Sequence, residues 1–469
     1  MPALPQPSDY RPDPAINEIA DFIADPVRAA SFPQHVLRFR NDRWDGAVGL
    51  ADLSDEQWIA HFGRFEPLPD NLREPLALRY HGHQFRVYNP DIGDGRGFLF
   101  AQLRDNNDRL LDLGTKGSGQ TPYSRFGDGR LTLKGGVREV LATEMLEALG
   151  VETSKSFSLI ETGEALNRGD EPSPTRSSVL VRLSNGHIRI GSFQRLAALG
   201  DADNLKRLIA YSLARFYGEE DSPDAPIRLL RRVVERTAKL AASYMAAGFV
   251  HGVLNSDNIN VSAESFDYGP WRFTPRWEPG FTAAYFDHNG LYAFGRQAQA
   301  IHWDVVQLAI ALRVIEQPEP LVTELEAFPA LFQRELDKAL IARLGVQPKD
   351  ENRDAALARA MMIALEESDV LIDRFFFDWR GGATRTGEAD AAYTAPAFDQ
   401  FRQAVADYEP STTLRQGYWS EPAPCSMHIE EVEAIWSRID AEDDWAPFNA
   451  KIAAIRQMGE AMREVDPRG

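Results

Sequence analysis

A lysine and a glutamate in the first third of the chain have the types and the order needed to bind a nucleotide. Lys116 ends an apolar run, and Glu139 lies near the start of the next stretch with helical spacing. In protein kinases, a strand lysine paired with a helix glutamate is oriented toward the nucleotide phosphates. The pair therefore indicates phosphoryl chemistry. The alternatives are that both side chains are solvated, or that Glu144 on the same stretch is the partner of Lys116.

A second group of polar residues, near the middle of the chain, could hold a metal ion and accept a proton. Kinase-like phosphotransferases place a catalytic aspartate five residues before a metal-binding asparagine, and a second metal-binding aspartate further on. Asn258 and Asp267 occur in that order, but the position five residues before Asn258 is Val253, which accepts no proton. Asp257 is the only nearby carboxylate able to replace the missing base. The alternative for this segment is an ordinary turn rich in Asn and Asp.

A glycine-rich run, GDGRG at 93–97, stands directly before an apolar stretch. Alternating glycines let the backbone approach a ligand closely, and their amides can bind phosphate. The spacing is not that of a Walker loop, which ends in Gly-Lys-Ser/Thr. Gly93, Gly95 and Arg96 are therefore candidate nucleotide contacts, with a simple tight turn as the alternative.

Two arginines flank the dipeptide NG at 185–186, the strongest short signal for a two-residue hairpin turn. A hairpin over 178–193 with that turn places Arg182 opposite Arg189 and gathers the apolar residues on the other face. Like charges directly opposite each other destabilise a hairpin. An anion between the two guanidinium groups would remove the repulsion, and arginine is suited to forked phosphate contacts. The alternative is that nearby carboxylates neutralise both arginines.

These residues need a scaffold of strands followed by helices. Apolar runs at 98–103 and 110–116 flank a polar turn, which is typical of a β-hairpin. A helix is predicted at about 137–149, ended by Gly150. Apolar positions between 230 and 245 have the i, i+3, i+4, i+7 spacing of a buried helix. A β-rich half before a helical half predicts the α+β class, with a cleft between the two. Further helices are predicted at 301–316, 353–379 and 428–462.

Composition and charge exclude several function classes. The 469 residues carry 51 Lys and Arg against 70 Asp and Glu, a net charge of −19. General nucleic-acid binding is not expected, because affinity for the phosphate backbone needs clustered basic residues. No stretch approaches the ~18 uninterrupted apolar residues of a membrane-spanning helix, and the N-terminus lacks a signal-peptide core. The single Cys425 excludes an intramolecular disulfide. A cytoplasmic protein without membrane or nucleic-acid partners is expected.

The ordered motifs resemble those of the selenoprotein O family, pseudokinases that act as protein adenylyltransferases. The resemblance covers about residues 75–310 and weakens after about residue 380. Arg86 and the run KGG at 134–136 depart from the usual pattern, and one cysteine provides no cysteine-pair redox switch. The matching motifs are YHGHQF at 80–85, GDGR at 93–96, KGSG at 116–119, TPYSR at 121–125, DGR at 128–130, RE at 138–139, IRIGSF at 188–193, HGVLNSDN at 251–258 and DYGP at 267–270.

The resemblance implies an α+β, protein-kinase-like bilobal fold with an N-terminal extension and a helical C-terminal extension. Its predicted segments are an N-terminal arm and wrap at 1–75, a β-rich nucleotide-binding lobe at 76–200, a helical lobe with the catalytic loop and metal site at 201–345, and a divergent helical extension at 346–469.

The resemblance also implies roles for individual residues. ATP would bind flipped relative to kinases, so that its α-phosphate faces the acceptor. Glu139 would orient Lys116, and Asp257 would be the proton acceptor. Asn258 and Asp267 would hold Mg²⁺ or Mn²⁺, with Asp267 also facing the nucleotide. The implied ATP contacts are Gly93, Gly95, Arg96, Lys116, Asp128, Gly129, Arg182 and Arg189.

The predicted activity is transfer of AMP from ATP to Ser, Thr or Tyr hydroxyls of proteins, with release of pyrophosphate. The enzyme is expected to act as a monomer. One alternative is an enzyme that transfers UMP, or a conventional kinase that transfers the γ-phosphate. Val253 at the usual base position argues against the kinase. The other alternative is an inactive nucleotide-binding scaffold, against which the intact Lys116, Asp257, Asn258 and Asp267 argue.

Overall fold

The computed structural model describes residues 6, 8–169, 171–384, 388–411, 414–415 and 417–463. Most strands precede residue 190, and helices dominate the rest of the described chain. The strands are β1 (Ala24–Pro26), β2 (Val36–Arg40), β3 (Leu76–Leu78), β4 (Gly82–Gln84), β5 (Val87–Asn89), β6 (Leu99–Arg104), β7 (Leu110–Lys116), β8 (Leu131–Thr132), β9 (Lys155–Leu166), β10 (Thr175–Ser184), β11 (Phe249–Val250) and β12 (Arg272–Phe273).

The α-helices vary from single turns to more than six turns. They are α1 (Ala20–Ile23), α2 (Asp55–Phe62), α3 (Leu133–Ala148), α4 (Ile190–Ala198), α5 (Ala202–Ser212), α6 (Ala225–Ala247), α7 (Gln297–Leu312), α8 (Pro318–Glu326), α9 (Phe328–Leu344), α10 (Glu351–Glu366), α11 (Ile372–Asp378), α12 (Asp399–Val405), α13 (Ile429–Glu442) and α14 (Ala446–Arg463). A π-helical turn at Leu213–Tyr217 follows α5, and short 3₁₀ helices include Ser256–Asn258.

An antiparallel sheet carries the lysine and one of the two arginines. Its strand order is β1-β3-β6-β7-β10-β9-β2, and β8 pairs with β10. The predicted hairpin is confirmed as β6 and β7, in which Gln102 pairs with Asp112. The edge strands β1 and β2 come from the first 40 residues. The N-terminal segment is therefore part of the sheet, while the division of the chain into four segments stays a prediction.

The helix that carries Glu139 is confirmed, but α3 begins four residues earlier than the predicted helix, at Leu133. The Thr132 side chain accepts a hydrogen bond from the Gly135 amide at 3.1 Å, which caps the first turn. Gly136 allows α3 to lie close against the sheet, because a Cβ there would stand 2.4 Å from Leu159 Cδ1. Gly135 and Gly136 lie inside the first turns of α3. Because glycine has a low helix propensity, the sequence pattern predicted that the helix would begin after them.

The predicted hairpin across 178–193 is wrong. β10 ends at Ser184, and Arg189 is the N-cap residue of α4 rather than a strand residue. Both edges of β10 are already occupied, since Arg182 pairs with Gly114 of β7 on one side and Ser156 of β9 on the other. A strand with two paired edges has no free edge for a hairpin partner. The chain therefore leaves the sheet after the turn.

The helical half follows the predicted pattern with different boundaries. The buried stripe of α6 is confirmed. The helix predicted at 353–379 is interrupted after Glu366 and resumes at Ile372, forming α10 and α11. The helix predicted at 428–462 is likewise two helices, α13 and α14. The prediction at 301–316 corresponds to α7, shifted toward the N-terminus by four residues.

These elements form the expected α+β fold, a sheet-based lobe followed by a helical lobe. One large buried apolar cluster includes residues of α3, α4, α6 and α7, and thus runs from the sheet lobe into the helical lobe. Within the described ranges, no helix combines the length and the apolar character needed to cross a membrane.

Candidate active site

A cavity of about 720 Å³ lies between the sheet and the segment that carries Asp257 and Asp267. Seven of its lining residues are Lys or Arg and four are Asp, so the cavity has an excess of positive charge in an acidic protein. Such a pocket favours a polyanionic ligand. The sequence-predicted residues that line it are Gly93, Gly95, Arg96, Lys116, Asp128, Gly129, Arg182, Arg189, Asp257 and Asp267. Glu139 and Asn258 lie outside the lining.

Lys116 and Glu139 form the predicted ion pair. Lys116 Nζ lies 2.6 Å from Glu139 Oε2 and 2.8 Å from Asp267 Oδ1, and both Lys116 and Glu139 are buried. Glu139 Oε1 also lies 3.4 Å from Arg182 Nη1. Burial alone would raise the pKa of Asp267, but the positive charges of Lys116, Arg182 and Arg189 hold that pKa well below its ordinary value. Asp267 is therefore an ionised carboxylate beside the lysine.

The two arginines meet through an aromatic ring rather than through a hairpin. The guanidinium carbons of Arg182 and Arg189 lie 5.8 Å and 4.8 Å from the centroid of Phe266. The Nε atoms of both arginines are buried and have no hydrogen-bond partner in the described part of the chain. Buried donors without partners are rare, and an anion would satisfy them. The two arginines are thus close together, as predicted, but they are brought together by packing on Phe266 and not by a hairpin.

The surroundings of the two arginines differ. Arg189 stacks on Tyr80, with its guanidinium carbon 4.4 Å from the ring centroid. It donates to the Asp257 carbonyl at 2.9 Å and to Asp94 Oδ1 at 3.1 Å. The two contacts of Arg182 with carboxylates are both 3.4 Å long. Arg189 therefore supports the segment that holds Asp257, whereas Arg182 keeps most of its donor capacity for a ligand.

Asp257 lies in the 3₁₀ helix Ser256–Asn258 and is 8% exposed. Burial raises the pKa of its carboxyl to about 6, although Arg189 acts in the opposite direction. Asp257 Oδ1 is buried and accepts no hydrogen bond from any described residue. A carboxylate with a raised pKa and a free oxygen is suited to accept a proton near neutral pH.

A small hairpin of β4 and β5, which the sequence reasoning did not assign to the site, holds the Asp257 segment in place. The His83 amide donates to Ser256 Oγ at 2.7 Å, and the Phe85 amide donates to Asn255 Oδ1 at 3.0 Å. Gln84 lines the cavity between them. The signal in the sequence is the motif YHGHQF at 80–85, which includes both His83 and Phe85.

The glycines at 93–97 serve packing within the protein. A Cβ on Gly93 would lie 2.5 Å from Tyr123 Cγ, and one on Gly97 would lie 2.0 Å from the Thr115 carbonyl oxygen. Gly93 therefore allows the loop at 121–130 to lie against this run, and Gly97 allows the close approach of β7. Asp128, in the same loop, forms an ion pair with Arg168 at 2.8 Å. Sequence patterns did not identify Arg168 or Asp94 as site residues, because their partners Asp128 and Arg189 are distant in the chain.

The residues assigned to a metal ion offer oxygen donors. Asn258 Nδ2 donates to the Val253 carbonyl at 3.0 Å, which leaves Asn258 Oδ1 available as a ligand. No group of three or more His, Cys, Asp or Glu suited to a metal occurs among the residues described. Mg²⁺ does not need such a group, since one or two protein oxygens and the substrate phosphates commonly hold it. The free amide oxygen of Asn258 and the carboxylate of Asp267 are donors that fit a hard divalent cation.

Comparison with known proteins extends the resemblance. A family model described as "Protein adenylyltransferase SelO" matches residues 8–456, well beyond the 75–310 expected from the motifs. The "Protein nucleotidyltransferase YdiU" of Gloeobacter violaceus is 44% identical over 466 residues, covering 96% of this chain and 95% of that protein. The protein of the same name from Synechococcus elongatus is 41% identical over 475 residues, with coverage of 96% and 95%. The expected extent of 75–310 is therefore too short, and a weaker match after residue 380 stays a prediction.

Among solved structures, a specific rhoptry antigen kinase domain of Toxoplasma gondii matches 56% of this chain and 76% of its own length. It is 12% identical with a TM-score of 0.25, a likeness too low to support an inference.

Proposed function

The chain belongs to the SelO family of protein adenylyltransferases, and from that premise we propose that it transfers AMP from ATP to a Ser, Thr or Tyr hydroxyl of a protein. The observation that carries the proposal is the juxtaposition of a buried cationic group with a free carboxylate oxygen. Lys116 and Arg182 line the same cavity as Asp257, whose Oδ1 has no partner among the described residues.

In the proposed reaction, the oxygen of the acceptor hydroxyl attacks the α-phosphorus of ATP, and Asp257 takes the proton of that hydroxyl. The new bond joins this oxygen to phosphorus, and the bond between the α-phosphorus and the bridging oxygen to the β-phosphate breaks. Pyrophosphate leaves with the electron pair of that bond. Lys116 and Arg182 stabilise its negative charge, and most of the catalysis is positioning and electrostatics.

The surrounding residues keep these groups in place. Glu139 holds Lys116 in the cavity at 2.6 Å, and Arg189 holds the backbone of Asp257. A divalent cation, Mg²⁺ or Mn²⁺, would be held by Asn258 and Asp267 and would neutralise charge on the phosphate oxygens. The flipped orientation of ATP, the protein acceptor, the monomeric state and the cytoplasmic location stay predictions.

Parallel incubations with α-labelled and γ-labelled ATP test the proposal. We expect the α-label to become covalently attached to protein and the γ-label to be released. An incubation with α-labelled UTP distinguishes AMP transfer from UMP transfer. Retained γ-label would make the enzyme a kinase, and tight ATP binding without either label would make it a scaffold. The Asp257→Asn variant is the matched control, because it removes the proton acceptor with little change in shape.

A further inference from the structure

Phe126 is an aromatic side chain in full contact with solvent at the edge of the cavity. It is the most exposed of the large hydrophobic residues in the described chain, and it lines the cavity together with Arg125 and Asp128. Exposure of a whole phenyl ring to water is unfavourable. Its backbone neighbourhood is also special, because Arg125 has a positive φ of 51°. Such conformations in non-glycine residues concentrate at functional sites.

The position of the charges indicates which part of ATP reaches this edge. Lys116, Arg182 and Arg189 are each only 4% exposed. Basic residues also line the cavity near the loop, but Arg130 and Arg168 there pair with Glu164 and Asp128. The buried Nε atoms of Arg182 and Arg189, in contrast, have no partner among the described residues, so the triphosphate is expected at this buried end. The base, at the other end of the nucleotide, then extends toward the exposed loop at 121–130.

Three aromatic residues line the cavity, and two are already engaged. Tyr80 is covered by the Arg189 guanidinium, 4.4 Å from its ring centroid. Tyr123 packs against Gly93, and its hydroxyl donates to Asp25. Phe126 is the aromatic lining residue of the described chain whose ring is left uncovered.

We propose that Phe126 is the platform on which the purine base of the nucleotide stacks. This inference rests on the proposed function only in placing a nucleotide in the cavity. Stacking of a base on an aromatic side chain changes affinity by roughly 5-fold to 150-fold when the ring is truncated to alanine. Because every base presents a π-face, the platform contributes affinity for nucleotides without selecting among bases.

Calorimetric titration of the full-length protein with ATP and with inorganic tripolyphosphate tests the platform. Tripolyphosphate carries the same phosphate chain but has no base. We expect Phe126→Ala to weaken ATP binding by at least about 5-fold and to leave tripolyphosphate binding unchanged. Phe126→Trp should restore ATP binding. Tyr285→Ala is the matched control, because Tyr285 is 80% exposed and lies outside the cavity lining.

The outcomes separate this inference from the proposed function. ATP binding by Phe126→Ala that equals the parent value would overturn the platform. An equal loss of ATP and tripolyphosphate binding would also overturn it, because the loop would then act on the phosphates. A parent protein that binds ATP but transfers no α-label would refute the proposed function and leave the platform supported by the binding data. A parent that binds neither ligand would refute both.

Discussion

Replacement of Arg182 by alanine is expected to weaken ATP binding much more than AMP binding. The side chain is 4% exposed, and its two carboxylate contacts are long, at 3.4 Å each. Its buried Nε has no partner in the described residues. The guanidinium group therefore has donors available for the phosphate chain, and AMP lacks the two phosphates that would use them.

The magnitude follows from the kind of contact that is lost. A hydrogen bond to a charged group contributes about 1.5–3 kcal/mol. The loss of one such contact corresponds to roughly a tenfold to 150-fold increase in the Kd for ATP. Glu139 keeps Lys116 at 2.6 Å as its partner after the substitution. The fold should therefore survive, since no buried carboxylate is left without a cation.

Calorimetric titrations with ATP and AMP measure this difference, and thermal unfolding checks the fold. Arg182→Lys keeps the charge and should recover part of the affinity, since lysine lacks the forked donors of arginine. Arg353→Ala is the matched control, because the Arg353 side chain is 64% exposed. If Arg182→Ala binds ATP with parent affinity, or loses ATP and AMP equally, Arg182 does not bind the terminal phosphates and the reasoning from its unpaired donors is wrong.

Asp257→Asn should abolish transfer of α-label to protein, while its affinity for ATP stays within severalfold of the parent value. A filter-binding assay measures the transfer and calorimetry measures the affinity. Equal losses of transfer and of ATP affinity would make Asp257 a metal or nucleotide ligand instead. Glu139→Gln should raise the KM for ATP and lower the free energy of unfolding by about 1–3 kcal/mol, because Lys116 loses one of its two buried carboxylate partners and keeps Asp267 at 2.8 Å. Unchanged stability in urea unfolding would contradict this. Glu264 accepts a hydrogen bond from the Asn185 amide, and burial raises its pKa to about 7. An acid whose pKa is higher in the folded state destabilises the fold increasingly as pH rises through that pKa. Glu264→Gln should therefore have a free energy of unfolding about 1–3 kcal/mol higher than the parent at pH 8, and this gain should shrink at pH 5. Urea unfolding at the two pH values measures it, and a gain independent of pH would refute the raised pKa of Glu264.

Local patterns predicted the elements whose partners are close in sequence. The β6–β7 hairpin and the stripe of α6 depend on a turn and on helical periodicity, and both are observed. The pairing of Lys116 with Glu139 was predicted from the order of residue types, although the two lie on different elements. Their order along the chain, which is that of the kinase lysine and glutamate, indicated a contact between two elements, and hydrophobic periodicity alone does not indicate such a contact.

The predicted arginine hairpin shows why a local signal can fail. The turn at 185–186 has the right residues, and Gly186 has the positive φ of 89° that a turn requires. The signal carries no information on whether the preceding strand has a free edge. β7 and β9 occupy the two edges of β10. β9 is the strand that precedes β10 in the chain. Tertiary pairing therefore decided against the hairpin.

Other parts of the site depend on contacts that no short pattern reveals. The support of Asp257 comes from a hairpin more than 160 residues earlier in the chain, through His83 and Phe85. The exposure of Phe126 depends on how the loop at 121–130 packs against Gly93 and Gly95. Sequence reasoning names such residues only when a family motif happens to include them.

The competition between Glu139 and Glu144 for Lys116 is settled by helix geometry. Five residues in an α-helix turn the side chain by about 500°, which leaves the two carboxylates about 140° apart around α3. Glu139 faces Lys116, and Glu144 faces away toward Arg43 at 3.1 Å and Arg456 at 2.9 Å.

Those two arginines connect α3 to segments that are far from it in the chain. Arg43 comes from the N-terminal segment and Arg456 from α14, and both neutralise a carboxylate that is 1% exposed. A buried carboxylate without a cation would be strongly destabilising. In kinases, the position of the corresponding helix decides whether the lysine and glutamate can meet. Arg43 and Arg456 therefore contact the helix that positions Glu139, on a face about 140° around α3 from that carboxylate.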